Sequence, residues 1–238
     1  MGRRLHFTTL TDDPRELPAY SIQEAAHYLR IPLGTLRSWV LGRYYPTEAG
    51  TRFFEPIIGL PEPGRGVLSF INLVEAHVLA AIRRKHSVPL PKVRQALRYI
   101  EKQFPSTHPL ADHWFQTDGL NLFVQKWGQL INISQHGQLV IRRLLEAHLQ
   151  RIERDPHGLP TRLYPFTRKL EPQEPKVVVI DPFVSFGRPV LAGTGIPTAV
   201  IAERYKAGES IDELAGDYGY QRLGIEEAIR CELQVQAA

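Results

Sequence analysis

A six-residue phrase, Ser-Ile-x-Glu-x-Ala, occurs twice in this chain, as Ser21 to Ala26 and as Ser210 to Ala215. A Ser three residues ahead of a Glu is a capping box. The hydroxyl accepts the backbone N–H of the Glu and the carboxylate accepts that of the Ser, so two donors left open at a helix N-terminus are satisfied together. Leu29 closes the apolar face after the first copy and Tyr218 after the second. Each copy therefore predicts a helix of about two and a half turns, the size of the first helix of a helix-turn-helix. Two small helical modules are expected at opposite ends of the chain.

The two copies lie in opposite electrostatic surroundings. Residues 18–104 carry 12 Lys and Arg against 6 Asp and Glu, a net +6, whereas residues 176–238 carry 6 against 9, a net −3. Phosphate repels the acidic end, and the basic end has the footprint of a DNA reader. At 238 residues, 43% of them hydrophobic, the chain can build two cores. No apolar run approaches the roughly 20 residues that cross a bilayer, and Met1 to Phe7 lacks the apolar stretch of a signal peptide, so a cytoplasmic protein without membrane contact is expected. The single cysteine, Cys231, excludes an intramolecular disulfide and a thiolate zinc knuckle, and reads as a small buried hydrophobe.

After Leu29 the first helix breaks at Arg30-Ile31-Pro32, and Pro32 suits the start of a second helix running through Val40. Ala25, Leu29, Leu36 and Val40 supply the contacts between the helices, and Trp39 reads as core. Thr35, Arg37, Ser38 and Arg43 are left to face outward. Arg pairs bidentately with guanine edges in the major groove, and Thr and Ser contact bases or phosphates. Arg52 to Ile58 and Val67 to Phe70, joined by a Pro/Gly-rich turn through Gly66, predict a β-hairpin wing from which Arg52 and Arg65 reach phosphates. Two amphipathic helices follow, Ser69 to Lys85 and Pro91 to Phe104, the second with Val93, Leu97 and Ile100 inward and Lys92, Arg94 and Arg98 outward.

Ser21 to Phe104 resembles the winged helix-turn-helix of the MerR family, whose opening S-x-x-E-A-A-x-x-L-x-I-P-x-x-T-L-R-x-W is present nearly in full through Trp39. The chain departs from that family in the long Pro/Gly-rich stretch from Tyr44 to Gly66. It also lacks cysteines for thiolate metal sensing.

In the middle segment, 105–155, Leu120 to Val124 and Leu130 to Ser134 are apolar stretches punctuated by Gly128 and Gly137, which predicts a β-hairpin followed by a helix from about Leu139. His108 and Asp112 are spaced to share a helix face, but a third metal ligand is absent, and Asp112 and His113 read as borders of a helix that buries Trp114 and Phe115. Arg142, Arg143, Arg151, Arg154, Arg162, Arg168 and Lys169 form a second basic tract. It runs into a stretch, 156–175, that Pro156, Pro160, Pro165, Pro172 and Pro175 stiffen into an extended spacer. The tract reads either as a solvated face or as an arm lying on another macromolecule.

The last module, 176–238, opens with an apolar strand around Val177 to Ile180. It continues through Gly187-Arg188-Pro189-Val190 and Gly193-Thr194-Gly195-Ile196-Pro197 into three helices. These glycines read as turns, since no Gly-Lys-Ser/Thr follows and the third glycine of a dinucleotide fingerprint is missing. The stretch resembles a small bacterial family with the hallmark D-P-x-x-x-x-G-x-P-V-x-x-G-T-R-I-P. Gly195 stands where that family has its arginine. Similar proteins joined to an N-terminal helix-turn-helix resemble VapB-type antitoxins of toxin–antitoxin systems, often encoded beside a PIN-like ribonuclease.

The expected fold is mainly α with small β-hairpins: a winged helix-turn-helix over 18–104 and a C-terminal three-helix, helix-turn-helix-like domain. The resemblance implies a DNA-binding antitoxin, acting as a homodimer on operator DNA, that neutralises a PIN-like toxin and represses its own operon. The basic tract or the acidic C-terminal helices would meet the toxin. The alternative is a free-standing MerR-like regulator whose Trp114, Phe115, Phe123 and Trp127 line a ligand pocket. No paired carboxylates, nucleophile elbow or metal-ligand cluster stands out, so neither an enzyme nor a cofactor is expected.

Overall fold

The computed structural model describes residues 13–47, 50–84, 90–132, 134–168 and 173–233. The chain is mainly helical, with small antiparallel two-stranded sheets. No helix among the described residues is long and apolar enough to cross a membrane.

Strand β1 (Tyr20–Ser21) leads into α1 (Ile22–Leu29), and both halves of the first capping box are formed: Glu24 N–H donates to Ser21 Oγ at 3.1 Å and Ser21 N–H to Glu24 Oε2 at 2.9 Å. Arg30, left-handed at φ 54°, ends α1, with its N–H directed at the carbonyls of Ala26 and His27. Pro32 then caps α2 (Leu33–Leu41), in which Leu36, Trp39 and Val40 are buried against the core.

The wing forms from a different pair of strands than the spacing suggests. β2 (Arg43–Thr47) pairs with β3 (Gly50–Phe54) in the register Arg43↔Phe54, Tyr44↔Phe53, Tyr45↔Arg52, whereas β4 (Val67–Leu68) crosses over to pair with β1. Tyr44 and Tyr45 are good strand formers, and Pro46 is tolerated because a two-stranded hairpin leaves half its backbone groups unpaired. Gly42 makes the entry possible. Its φ is +73°, and a Cβ there would stand 2.3 Å from the Phe54 carbonyl oxygen.

Helices α3 (Phe70–Arg84) and α4 (Leu90–Gln103) follow, and after a π-helical turn at Phe115–Gly119 come α5 (Leu120–Ile131) and α6 (Gln135–Leu149). In place of the expected hairpin, Leu120–Ile131 is a helix. Leu120, Phe123, Val124 and Trp127 are all buried and recur at the i, i+3, i+4, i+7 spacing of one helix face, which outweighs the local impression of alternation. Gly128 sits where the Gln138 side chain of α6 crosses, and Ser134 caps α6 by accepting the Gly137 N–H at 3.3 Å.

The described residues of the Pro-rich stretch, 156–168 and 173–175, are folded against the core rather than free. β5 (Ile152–Arg154) pairs with β6 (Pro160–Leu163), and Tyr164, Pro165, Phe166 and Thr167 are buried. Prolines leave carbonyls without neighbouring donors, and Arg151 supplies them. Its fully buried guanidinium donates to the carbonyls of Tyr164 (2.6 Å), Glu174 (2.9 Å), Pro165 (3.2 Å) and Pro175 (3.2 Å).

A last pair of short strands, β7 (Val178–Val179) and β8 (Val190–Leu191), precedes α7 (Thr198–Lys206), α8 (Ile211–Tyr218) and α9 (Arg222–Glu232). These helices close on their own apolar cluster of Leu191, Ile201, Leu214, Ile225, Ala228 and Ile229. The second capping box is also complete, with Glu213 N–H to Ser210 Oγ at 3.2 Å and Ser210 N–H to Glu213 Oε2 at 2.8 Å.

Candidate nucleic-acid interface

Burial of Leu36, Trp39 and Val40 turns one face of α2 inward and leaves Arg37 exposed, with Thr35 partly so. Arg43 opens β2 and Arg52 lies on β3, both exposed. Among the described residues none of Arg37, Arg43 and Arg52 is paired with a carboxylate, so three unneutralised guanidiniums project from α2 and the adjoining hairpin. The backbone ties these elements together: the Ile57 and Ile58 N–H groups donate to the Trp39 carbonyl at 2.7 and 3.1 Å, anchoring the chain beyond β3 to α2.

Two of the expected contacts are placed differently. Ser38 is buried, and its hydroxyl donates to the Thr35 carbonyl at 2.7 Å, so it faces the core instead of a groove. A small hydroxyl that satisfies itself on the preceding turn fits that buried position. Arg65 is exposed on the loop before β4, not on either strand of the β2–β3 wing, and pairs with Glu62 at 3.1 Å.

The second basic tract is not an arm. Arg151 is the buried donor described above. Arg154 is largely buried, donating to the carbonyls of Ala111 and Gly158, and burial pushes its pKa down to about 10. Arg162 bridges Asp181 at 3.0 Å and Glu153 at 3.3 Å, and Arg142 pairs with Glu146 at 2.8 Å. Arg168 donates to the fully buried Glu227 of α9 at 2.6 Å. Burial raises the Glu227 pKa, and the bonds from Arg168 and Thr167 outweigh it, holding the carboxyl below its usual range. Arg143 remains exposed, and Lys169 lies outside the described residues. A Pro-rich chain attracts these arginines because its carbonyls need donors, a demand that counting charges does not reveal.

Three of the four aromatic residues expected to line a ligand pocket fill the core instead, and Trp114 is only partly buried. Phe115, Phe123 and Trp127 are fully buried, each ring centroid 5.7 Å from the next, and Trp114 stacks on Phe104 at 4.5 Å. His108 does not pair with Asp112 as a ligand set. Its Nδ1 lies 3.1 Å from Oε2 of the buried Glu75 on α3, while Asp112 accepts the Trp114 indole N–H at 3.1 Å.

The two modules meet directly. The Tyr20 hydroxyl donates to the Gly187 carbonyl at 2.9 Å, and Arg188 lies 3.5 Å from Glu24, the carboxylate of the first capping box. Arg30 donates to the carbonyls of Thr167 and Arg168. The left-handed turn Ser185–Gly187 brings Gly187 against Tyr20, where a Cβ would lie 2.3 Å from the hydroxyl oxygen. The pairing of Gly187 and Arg188 with the first helix is absent from any local pattern.

Residues 18–97 match a family described as "Putative DNA-binding HTH domain", and residues 178–230 match one described as "Protein of unknown function (DUF433)". A Mycobacterium tuberculosis protein named "Putative antitoxin VapB45" is 31% identical over 221 residues, covering 86% of this chain and 89% of that protein. The uncharacterized protein Rv2308 of the same organism is 26% identical over 239 residues, covering 96% and 94%. The crystal structure of Rv2018 from Mycobacterium tuberculosis superposes with a TM-score of 0.65 at 26% identity, over 90% of this chain and 98% of that one.

Proposed function

The chain belongs to the VapB45 family, and on that premise we propose that it is a DNA-binding antitoxin that represses its own operon and neutralises a PIN-like ribonuclease toxin. The observation that carries the DNA reading is the trio of unpaired guanidiniums, Arg37 on α2 with Arg43 and Arg52 on the hairpin, within a +6 segment. In this reading α2 enters a major groove, where Arg37 reads a guanine edge and Thr35 contacts a neighbouring base or phosphate. Arg43 and Arg52 hold phosphates and set the register. The order of helix, helix and hairpin supports a MerR-like mode of docking, with a homodimer on a palindromic operator.

Toxin binding falls to the C-terminal module. Most of the 142–168 arginines are committed inside the fold or to carboxylates, which favours the acidic helices α7 to α9 as the toxin-covering surface. Exposed Glu203 and Glu213, with Asp212 and Asp217 in pairs with Arg222 and Arg204, give these helices the acidic character that would complement the basic RNA-binding surface of a ribonuclease. Co-purification with a PIN-like protein encoded beside this chain, followed by an RNase assay, tests it. Cleavage should be suppressed at stoichiometric antitoxin; undiminished cleavage removes the neutralisation reading. A shift assay on the upstream operator tests repression separately.

A further inference from the structure

Hairpin β2–β3 and helix α4 are the two walls of an open groove of about 620 Å3, with Lys126 of α5 at its edge. That volume lies within the range of small-ligand sites, roughly 300–1,000 Å3. The lining is one-sided in charge: Arg94, Arg98, Lys102 and Lys126 contribute four cations and no lining residue is acidic. Rings alternate with these charges, Tyr45 on the hairpin wall and Tyr99 on the helix wall.

The cations differ in what they are free to do. The Arg94 guanidinium lies 4.3 Å over the Phe54 ring and donates to the carbonyls of Glu55 and Pro56, so it is a fixed positive wall. Arg98 is held by Glu55 at 3.3 Å. Lys102 and Lys126 have no carboxylate partner among the described residues, and the Lys126 ammonium sits 4.8 Å from the centre of the exposed Tyr99 ring. A phosphate held on Lys102 and Lys126 would therefore place an attached planar group beside the Tyr99 ring.

We propose that this groove binds a nucleotide unit, its phosphate on Lys102 and Lys126 and its base against Tyr99 and Tyr45. Basic side chains interleaved with rings are what an unstacked base and its phosphate require. A duplex offers phosphates but keeps its base faces stacked, and would leave the two tyrosines unused. The site uses nothing of α2 and stands apart from operator reading. The same chemistry is presented by a free mononucleotide and by a single strand.

Calorimetric titration of the full chain at low salt with AMP, adenosine, inorganic phosphate and the single strand dT10 tests the proposal. AMP or dT10 should bind at least about tenfold tighter than adenosine or phosphate, and whichever of the two binds tighter identifies the source. Tyr99→Ala and the double variant Lys102→Ala/Lys126→Ala should each weaken binding about tenfold, with Tyr99→Phe restoring it. All of these positions are at least partly exposed, and an unchanged thermal midpoint confirms the fold. The proposal is overturned by the absence of binding to both probes, by phosphate matching AMP, or by variants that bind as the parent does. A parallel loss of operator-duplex affinity in the variants also overturns it, because the groove would then belong to the duplex contact. Arg37→Ala tests operator reading independently of every one of these outcomes.

Discussion

The Tyr20 hydroxyl reaches the Gly187 carbonyl across 167 residues of sequence, at 2.9 Å in a buried setting. Arg188, the next residue, approaches the Glu24 carboxylate that caps α1, so the start of the helix-turn-helix is also its joint with the C-terminal module. Whatever engages the turn at 185–187 lies one hydrogen bond from the helix-turn-helix pair α1–α2. The acidic and basic modules, opposite in charge, are thereby in mechanical contact.

Breaking that joint should show non-additive energetics. Tyr20→Phe leaves the Gly187 carbonyl without its donor and is expected to cost about 1–3 kcal/mol in a urea titration. Gly187→Ala should cost more, since it sets a Cβ against the hydroxyl at a φ of +74°. In the Tyr20→Phe background the same alanine meets no hydroxyl and keeps the backbone penalty of about 1–2 kcal/mol together with a milder contact on the ring Cζ at 3.2 Å. Strict additivity in the double-mutant cycle would show that the two residues do not meet as described.

Local chemistry is readable in the sequence wherever partners are close along the chain. Both capping boxes, the break at Arg30 to Pro32 and the inward face of Val93, Leu97 and Ile100 depend on residues within a few positions of one another. The hairpin differs from its expected pairing because Val67 and Leu68 fit a strand equally well against Arg52 to Ile58 or against Tyr20 and Ser21, and only packing decides. Leu120 to Ile131 carries its helical period in plain view, but Gly128 and the short apolar runs imitate a turn between strands. Arg151 resembles part of a surface tract because sequence gives charge and not burial. The groove between the β2–β3 hairpin and α4 joins residues from four elements and has no linear signature.

Arg37→Ala should lower operator affinity by about 1–3 kcal/mol and relax base preference at one position, while leaving the thermal midpoint unchanged because the side chain is exposed. Arg52→Ala should weaken all sequences alike and reduce the salt slope by about one phosphate contact. Ser38→Ala is the informative control. Its hydroxyl is spent on the Thr35 carbonyl, so operator affinity should stay within about twofold, and a loss equal to that of Arg37→Ala in a shift assay would return Ser38 to the interface.

Arg151→Met should be among the most destabilising single changes in the chain. Four carbonyls, those of Tyr164, Pro165, Glu174 and Pro175, lose a buried charged donor together, an effect of about 3–5 kcal/mol. Arg151→Lys should not rescue it, because one ammonium cannot reproduce the planar fork that reaches both sides of the Pro-rich loop. Denaturant midpoints of both variants check this, and an Arg151→Lys variant as stable as the parent would refute the hub geometry.

The Glu75–His108 pair makes a signed prediction for pH. Burial disfavours the charged imidazole, yet the hydrogen bond and charge of Glu75 prevail, with Glu16 and Asp112 adding the same sign, so the His108 pKa is raised above its ordinary 6.5. Burial likewise raises the Glu75 carboxyl above 4.5 against the bonds from His108 and Asn72. Both groups hold protons more tightly folded than unfolded. The stability contributed by His108 is fully present below about pH 6.5 and is lost as pH rises through its raised folded value. The urea midpoint should therefore fall between about pH 6 and pH 8. Glu75→Gln removes the main cause of the raised imidazole pKa and leaves burial to act alone, so the fall should vanish in that variant. A parent-like decline in Glu75→Gln over the same range would assign the pH dependence to other groups.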